Sequence, residues 1–396
     1  MTIRGRSPGK LSSYNVFKVI YAPHKVFKEV IQNPKYIGPI LILILFVAAD
    51  TASAYTLLAK SRFEQTVPSI QEGDKWIENA TIWTPMTGVN ITENTVDFIN
   101  GTYYGNKSLQ FSTANSNHIA MSLSNMGTVN CTGPDGYKNI SIRIKWTSPV
   151  EKPNNVSFYL NSSTVDRFYY NLTRDMANST ANVWYNFTIP LATERWVNTT
   201  ARASWSHITD LKLEFAWATT SNITVLLDGL FFRGVYGPFT TDFTAFLASF
   251  ATRGLMQFVL RWIVLGGIIF IMTKALGGIA LWRPALILAG FALMTMFIQT
   301  LINTATLSTL PTLYYSIEYL GGTAQEISIA QNAIAAETSY VTAIYGYVQI
   351  ATYLWTIILS ALATRLFVNF SWMKSFLVGT VAFLFAIIVE GFILGI

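Results

Sequence analysis

Three ionisable side chains, Asp50, Arg261 and Glu390, stand inside stretches that are otherwise apolar enough to cross a bilayer. Asp50 lies 14 residues after Tyr36, Arg261 lies 13 before Lys274, and Glu390 lies 16 after Lys374. At ~1.5 Å of helical rise per residue, their depths from the inner face are roughly 21, 20 and 24 Å. A charge within a span costs roughly 2.5 to 3.5 kcal/mol on insertion scales, so such groups turn toward a bundle interior and pair. The spacing predicts that Arg261 bridges Asp50 and Glu390. One cation against two acids leaves a carboxyl that keeps a proton, because like charges raise a neighbour's pKa. Three readings are open: a proton or ion relay, a structural clasp joining the first, second and fifth spans, or Glu390 snorkelling outward.

Other chemistry is thinly represented. His24, His118 and His207 lie far apart, no His/Cys/Asp/Glu group has metal-ligand spacing, and neither a phosphate-cradling loop nor a nucleophile elbow occurs. His207 and Asp210 would face opposite sides of a strand. No catalytic residue is assigned, and the chain is expected not to be an enzyme. What the sequence does repeat is Asn-x-Ser/Thr, thirteen times in one segment: Asn79, Asn90, Asn100, Asn106, Asn130, Asn139, Asn155, Asn161, Asn171, Asn178, Asn186, Asn198 and Asn222. This density predicts N-glycosylation and so a non-cytoplasmic compartment for the segment. Outside the segment only Asn369-Phe370-Ser371 matches, on the predicted inner side, where no glycan is expected.

The elements that must position these residues follow from hydropathy and charge. The 396 residues are 51% apolar and 12% charged, about half the charge usual for a soluble domain. Residues 1–35 form a basic cytoplasmic tail, with Arg4, Arg6, Lys10, Lys18, Lys25, Lys28 and Lys35 against Glu29 alone. Within it, Pro23 to Asn33 is predicted to be an amphipathic helix on the inner leaflet, with Val26, Phe27, Val30 and Ile31 on one face and lysines near the phosphate headgroups. Residues 36–59 are predicted to be the first span, retained as an uncleaved signal anchor. Residues 60–235 form an insert, and 236–396 an interfacial helix (Phe239, Phe243, Phe246, Leu247, Phe250) followed by four spans: Gly254–Lys274, Trp282–Ile302, Ala343–Ala363 and Ser375–Ile396. The 303–342 loop has Glu318, Glu326 and Glu337 and no Lys or Arg, so it belongs outside. The predicted localisation is the cell membrane, N-terminus inside and C-terminus outside, with an endomembrane and its lumen as the alternative. Residues 60 to 240 balance fourteen Lys/Arg with fourteen Asp/Glu, so the net charge of +6 does not indicate nucleic acid.

The insert reads as strands. Ile140, Ile142, Ile144 and Trp146 alternate with Asn139, Ser141, Arg143 and Lys145, as on a half-buried strand. Leu211, Leu213, Phe215 and Trp217 repeat the pattern, and shorter runs occur at 108–112, 156–160, 167–170, 183–189 and 223–232. Turn residues between them predict an antiparallel sandwich. The lone Cys131 forms no intramolecular disulfide, so packing must stabilise this domain. The expected fold is an α-helical polytopic bundle of five spans with an inserted extracytoplasmic all-β sandwich of jelly-roll type.

Residues 105–111 (GNKSLQF), 205–215 (WSHITDLKLEF) and 224–232 (TVLLDGLFF) resemble the opening and closing strands of galactose-binding-like jelly rolls, the fold of many carbohydrate-binding modules. That resemblance implies sugar binding by stacked aromatic rings, for which the insert has Trp76, Trp83, Trp146, Trp184, Trp196, Trp205 and Trp217; the patterning of Trp146 and Trp217 favours core packing instead. It also implies a structural calcium at Asp228, or an Asp that stabilises a turn. No other cofactor is expected. In the membrane part, Pro23-His-Lys-Val-Phe27 with Asn33-Pro34, Lys274-Ala-Leu-Gly-Gly278 with Trp282-Arg283, and Trp355 to Ser371 resemble the Yip family of five-span proteins. The large β insert departs from that family's compact pattern, so its roles in vesicle traffic and in binding Rab-type GTPases carry over poorly. Two functions are expected from different classes: a membrane scaffold displaying a sandwich to a surface glycan, surface layer or membrane-protein partner, or a transporter or channel accessory using the intramembrane charges. The sequon density suits an archaeal surface.

Overall fold

A computed structural model describes residues 14–200, 202–239 and 243–395. Arg4, Arg6 and Lys10 of the predicted tail, and part of the predicted interfacial helix, lie outside the described residues. The chain divides into two compact units, residues 1–60, 239–312 and 337–396 in one, and 61–238 and 313–336 in the other.

The first unit is helical. Its elements are α1 (Tyr14–Tyr21), α2 (Pro23–Gln32), α3 (Ile37–Lys60), α4 (Phe243–Ala275), α5 (Trp282–Ala292) and α6 (Met294–Ser308). Next in the chain come α7 (Ile317–Gly321), which belongs to the second unit, then α8 (Ala324–Val368) and α9 (Trp372–Leu394). Among the described residues, five helical stretches are long and apolar enough to cross a membrane: α3, α4, α5 with α6, α8 and α9. Four details differ from the sequence reading. Helix α2 does form behind Pro23, but Val26, Phe27 and Val30 are buried in the bundle's own core, so its apolar face has a protein partner and is not left for lipid. Phe243 to Ala275 is one uninterrupted helix, because no proline separates the aromatic stripe from the span. The third span is broken at Leu293, where α5 ends and α6 starts. Helix α8 begins at Ala324, well before the predicted Ala343, because 324–342 is rich in Ala, Gln, Glu and Ile and holds neither glycine nor proline. Its start is a capping box: the Thr323 amide donates to Glu326 Oε2 at 2.9 Å, and the Glu326 amide donates to Thr323 Oγ1 at 3.3 Å.

The second unit is a β-structure. Its strands are β1 (Ser61–Val67), β2 (Trp83–Pro85), β3 (Asn90–Asn94), β4 (Ser108–Leu123), β5 (Asn139–Ser148), β6 (Asn155–Asn161), β7 (Arg167–Asn171), β8 (Tyr185–Pro190), β9 (Trp196–Asn198), β10 (Asp210–Pro238) and β11 (Leu313–Tyr315). Strands β4 and β10 run antiparallel along most of their length, with register breaks between Ala216 and Ile223. On one side of the breaks they are flanked by β2 and by β6, β7 and β9; on the other, by β3 and by β5 and β8. Two layers result from two shared strands, and their inner faces fill a single core that includes Ile140, Ile142, Ile144, Trp146, Phe158, Phe215 and Trp217. The predicted segments at 211–217 and 223–232 are thus one strand.

The outer face of β5 is a correction to the half-buried expectation. Ser141 and Arg143 are buried too. Tyr104 covers Arg143, its ring centroid 3.6 Å from the guanidinium carbon, and Glu326 pairs with Arg143 at 2.6 Å. The predicted outer loop therefore serves partly as cover: β11 pairs in parallel with β1, and Glu318 joins Arg233, which also holds the buried Glu64.

Candidate functional site

In the bundle, Arg261 of α4 and Glu390 of α9 are 5% and 4% exposed and meet as a fork, with Nε to Oε2 at 2.5 Å and Nη2 to Oε1 at 2.7 Å. Gln257, one turn earlier on α4, donates Nε2 to Glu390 Oε1 at 2.8 Å. The Tyr353 ring of α8 lies 5.9 Å from the guanidinium carbon. A buried ion pair survives where its geometry is good and further hydrogen bonds support it, and here both Glu390 oxygens are engaged. Asp50 does not join it: among the described residues no ion pair links Asp50 to Arg261 or Glu390. Its carboxylate instead occupies the gap left by Gly254, where a Cβ would come within 2.8 Å of Oδ2. Gly254 is seven residues from Arg261, roughly 10 Å along the helix. Depth counted from one end of a span fixes neither the facing direction nor the partner.

In the β-unit, Asp228 is fully buried on β10. Its Oδ2 accepts the Ile99 amide at 2.7 Å and its Oδ1 the Gly229 amide at 2.8 Å. Asp74, 1% exposed, accepts the Leu230 amide at Oδ2 (3.3 Å), while its Oδ1 is buried without a hydrogen-bond partner. Sequence reasoning had no signal for Asp74, which lies far from Asp228 in the chain. Burial, then the Asp228 charge, hold the Asp74 carboxyl well above the usual range; burial pushes Asp228 up to about 7 against the pull of the Ile99 amide and Arg143. Beside them is an open cleft of about 510 Å³ that Asp74 and Glu78 line with Asn100, Gly101 and Thr102. The expected calcium, if bound here, would be held by the unpartnered Asp74 Oδ1 and by Asp228. Calcium takes about 6–8 oxygens. Among the described residues no group of three His, Cys, Asp or Glu converges, so carbonyl and water oxygens would complete the shell. Bound there, the ion would neutralise two carboxylates and tie β10 to the Asp74 loop.

The tryptophans are structural for the most part. Trp76, Trp83, Trp146, Trp196 and Trp217 are buried, Trp205 stacks on Phe168 at 3.9 Å, and Trp184 donates its indole N–H to Asp97 at 2.9 Å. The aromatic pair on an outer face is a different one, Tyr159 of β6 and Tyr169 of β7, directly opposite in register with ring centroids 5.3 Å apart. Lys212, opposite Tyr159 on β10, has its ammonium 5.9 Å from the Tyr159 ring, Arg167 approaches to 6.0 Å, and Lys212 pairs with Glu214 at 2.5 Å. The row continues through Ser122 and Thr84. Both tyrosines are half-buried. Of the thirteen predicted glycosylation sites, Asn139, Asn161 and Asn171 are half-buried, and Asn79, Asn90, Asn100, Asn106, Asn130, Asn155, Asn178, Asn186, Asn198 and Asn222 are exposed. Cys131 is buried, and burial pushes its thiol up to about 12.

No protein-family model and no curated protein matches the chain. Among solved structures, the chain is similar to a family 11 carbohydrate-binding module from Clostridium thermocellum in complex with a β-1,3-1,4-mixed-linked tetrasaccharide, at 13% identity and a TM-score of 0.28, covering 43% of this chain and 96% of that one. A family 30 carbohydrate-binding module of a cellulosomal cellulase of Clostridium thermocellum gives 12% identity and a TM-score of 0.31, covering 43% and 97%. An exo-β-agarase gives 9% identity and 0.30, covering 41% of this chain and 24% of that one.

Proposed function

We propose that this chain is a non-enzymatic membrane scaffold: a Yip-type bundle of five spans anchors a glycosylated sandwich on the side opposite the basic tail, and the sandwich binds a glycan on the face built by Tyr159 and Tyr169. The observation that carries this reading is that aromatic pair, half-buried on an outer sheet face and flanked by Lys212, Glu214 and Arg167. Aromatic faces are electron-rich and attract the C–H-lined face of a pyranose, while flanking charged groups hydrogen-bond its hydroxyls. Support for the sidedness comes from the sequons, none of which is buried, and from β11, whose pairing with β1 keeps the 313–336 segment in the sandwich's compartment. The test is a glycan library applied to the full chain in mild detergent. Binding that Tyr159→Ala or Tyr169→Ala abolishes supports the reading, and binding unaffected by both rejects it.

The Arg261–Glu390 pair favours a second reading, a transporter or channel accessory, because its acid lies within a span beside Gln257 and Tyr353. Reconstituted vesicles would distinguish it: proton or cation flux lost in Glu390→Gln supports transport, and no flux above lipid alone refutes it.

A further inference from the structure

Asn171 shares a strand and a face with Tyr169, two positions along β7, and lies directly opposite Ser157. Ser157 in turn lies opposite Glu214 on β10, so Asn171, Ser157 and Glu214 form the same-face row next to the one that holds Tyr169, Tyr159 and Lys212. Same-face neighbours on a strand are about 7 Å apart, so a sugar linked to the Asn171 amide starts at the edge of the tyrosine pair. The Asn171 Oδ1 accepts the Thr173 amide at 3.1 Å, fixing the side chain by its oxygen and leaving Nδ2 for the linkage. By contrast, the Asn155 Nδ2 on the same face already donates to Ser157 Oγ at 3.1 Å.

We propose that the Asn171 N-glycan is the resident occupant of the Tyr159–Tyr169 face, its first sugar seated on the rings, so that an external glycan must displace it to bind there. This rests on the reading of that face as sugar-binding and adds its regulation. The modification needs a lipid-linked oligosaccharide phosphate as donor. The Asn171 Nδ2 bonds to the anomeric carbon and gives up a proton, and the carbon–oxygen bond to the lipid phosphate breaks, the phosphate leaving with its electron pair.

The experiment uses the full chain purified from a glycosylating host. Glycopeptide mass spectrometry first establishes occupancy, and Tm is then measured for Asn171→Gln in three backgrounds: wild type, Tyr169→Phe and Tyr169→Leu. The expected result is that losing the glycan lowers Tm in the two backgrounds that keep a ring and leaves it unchanged in Tyr169→Leu, and that Asn171→Gln binds external glycan several-fold more tightly than the glycosylated chain. An equal Tm loss in all three backgrounds, or a bare Asn171 in protein glycosylated at Asn79 and Asn130, overturns the proposal. If Tyr169→Leu does not fold, Tyr159→Leu takes its place. Ring-dependent Tm loss with no external binding to any variant would refute the sugar-binding function yet uphold the seated glycan. Equal external binding to wild type and Asn171→Gln, with additive Tm losses, would do the reverse.

Discussion

Arg261 and Glu390 satisfy one another across α4 and α9, so each is costly to remove alone. Arg261→Leu leaves a buried carboxylate, and breaking such a pair typically costs about 3–5 kcal/mol, whereas replacing both partners with apolar residues of similar volume is close to neutral. Thermal unfolding in detergent is expected to show a large Tm loss for Arg261→Leu, a smaller one for Arg261→Met with Glu390→Leu, and little for Asp50→Asn, which lies outside the pair. A double variant as damaged as the single would count against a clasp. Asp74 gives a second prediction. Calcium is expected to raise the Tm of the wild-type chain at neutral pH and to leave Asp74→Asn unmoved; a wild-type Tm indifferent to calcium and chelator would remove the ion from the account.

Between elements, Arg233 of β10 holds β1 and α7 together. It reaches Glu64 at 2.7 Å and Glu318 at 2.5 Å, and Glu64 also accepts the Ile317 amide at 3.0 Å. Burial pushes the Glu318 carboxyl up, but the hydrogen bonds and charge of Arg233 outweigh it and leave its pKa below the ordinary value. A carboxyl depressed in the folded state contributes stability above its unfolded pKa and loses it as pH falls through the lowered folded value. Hydrogen exchange over 313–323 is therefore expected to be slow at neutral pH and to quicken below the ordinary carboxylate range, relative to β5. Glu318→Gln should show that faster exchange already at neutral pH, and equal protection in variant and wild type would mean that the strand pairing alone holds the segment. The alternation of β5 foretold its inner face, but its outer face acquired Tyr104 and Glu326 from remote segments, which no local pattern records.

Across the whole molecule, the sidedness of the two units is open to one measurement. An impermeant amine reagent on intact cells is expected to spare Lys18, Lys25 and Lys28 and to modify exposed sandwich lysines such as Lys75 and Lys138, while mass spectrometry finds glycans in the 79–222 segment and Asn369 bare. Labelled tail lysines would invert the topology.

Hydropathy, charge and short motifs, read along the chain, were enough to mark five apolar stretches, the strand-rich insert and the thirteen sequons, because each is a local or periodic property of consecutive residues. They were enough also to bring Arg261 and Glu390 to similar depth. Tertiary structure alone decided that Asp50 turns to Gly254, that Asp74 and Asp228 accept the adjacent Leu230 and Gly229 amides, that Tyr159 stands opposite Tyr169, and that β11 closes on β1. These depend on helix rotation, strand register and long-range pairing, which are set by how whole elements pack and are not encoded at any single position.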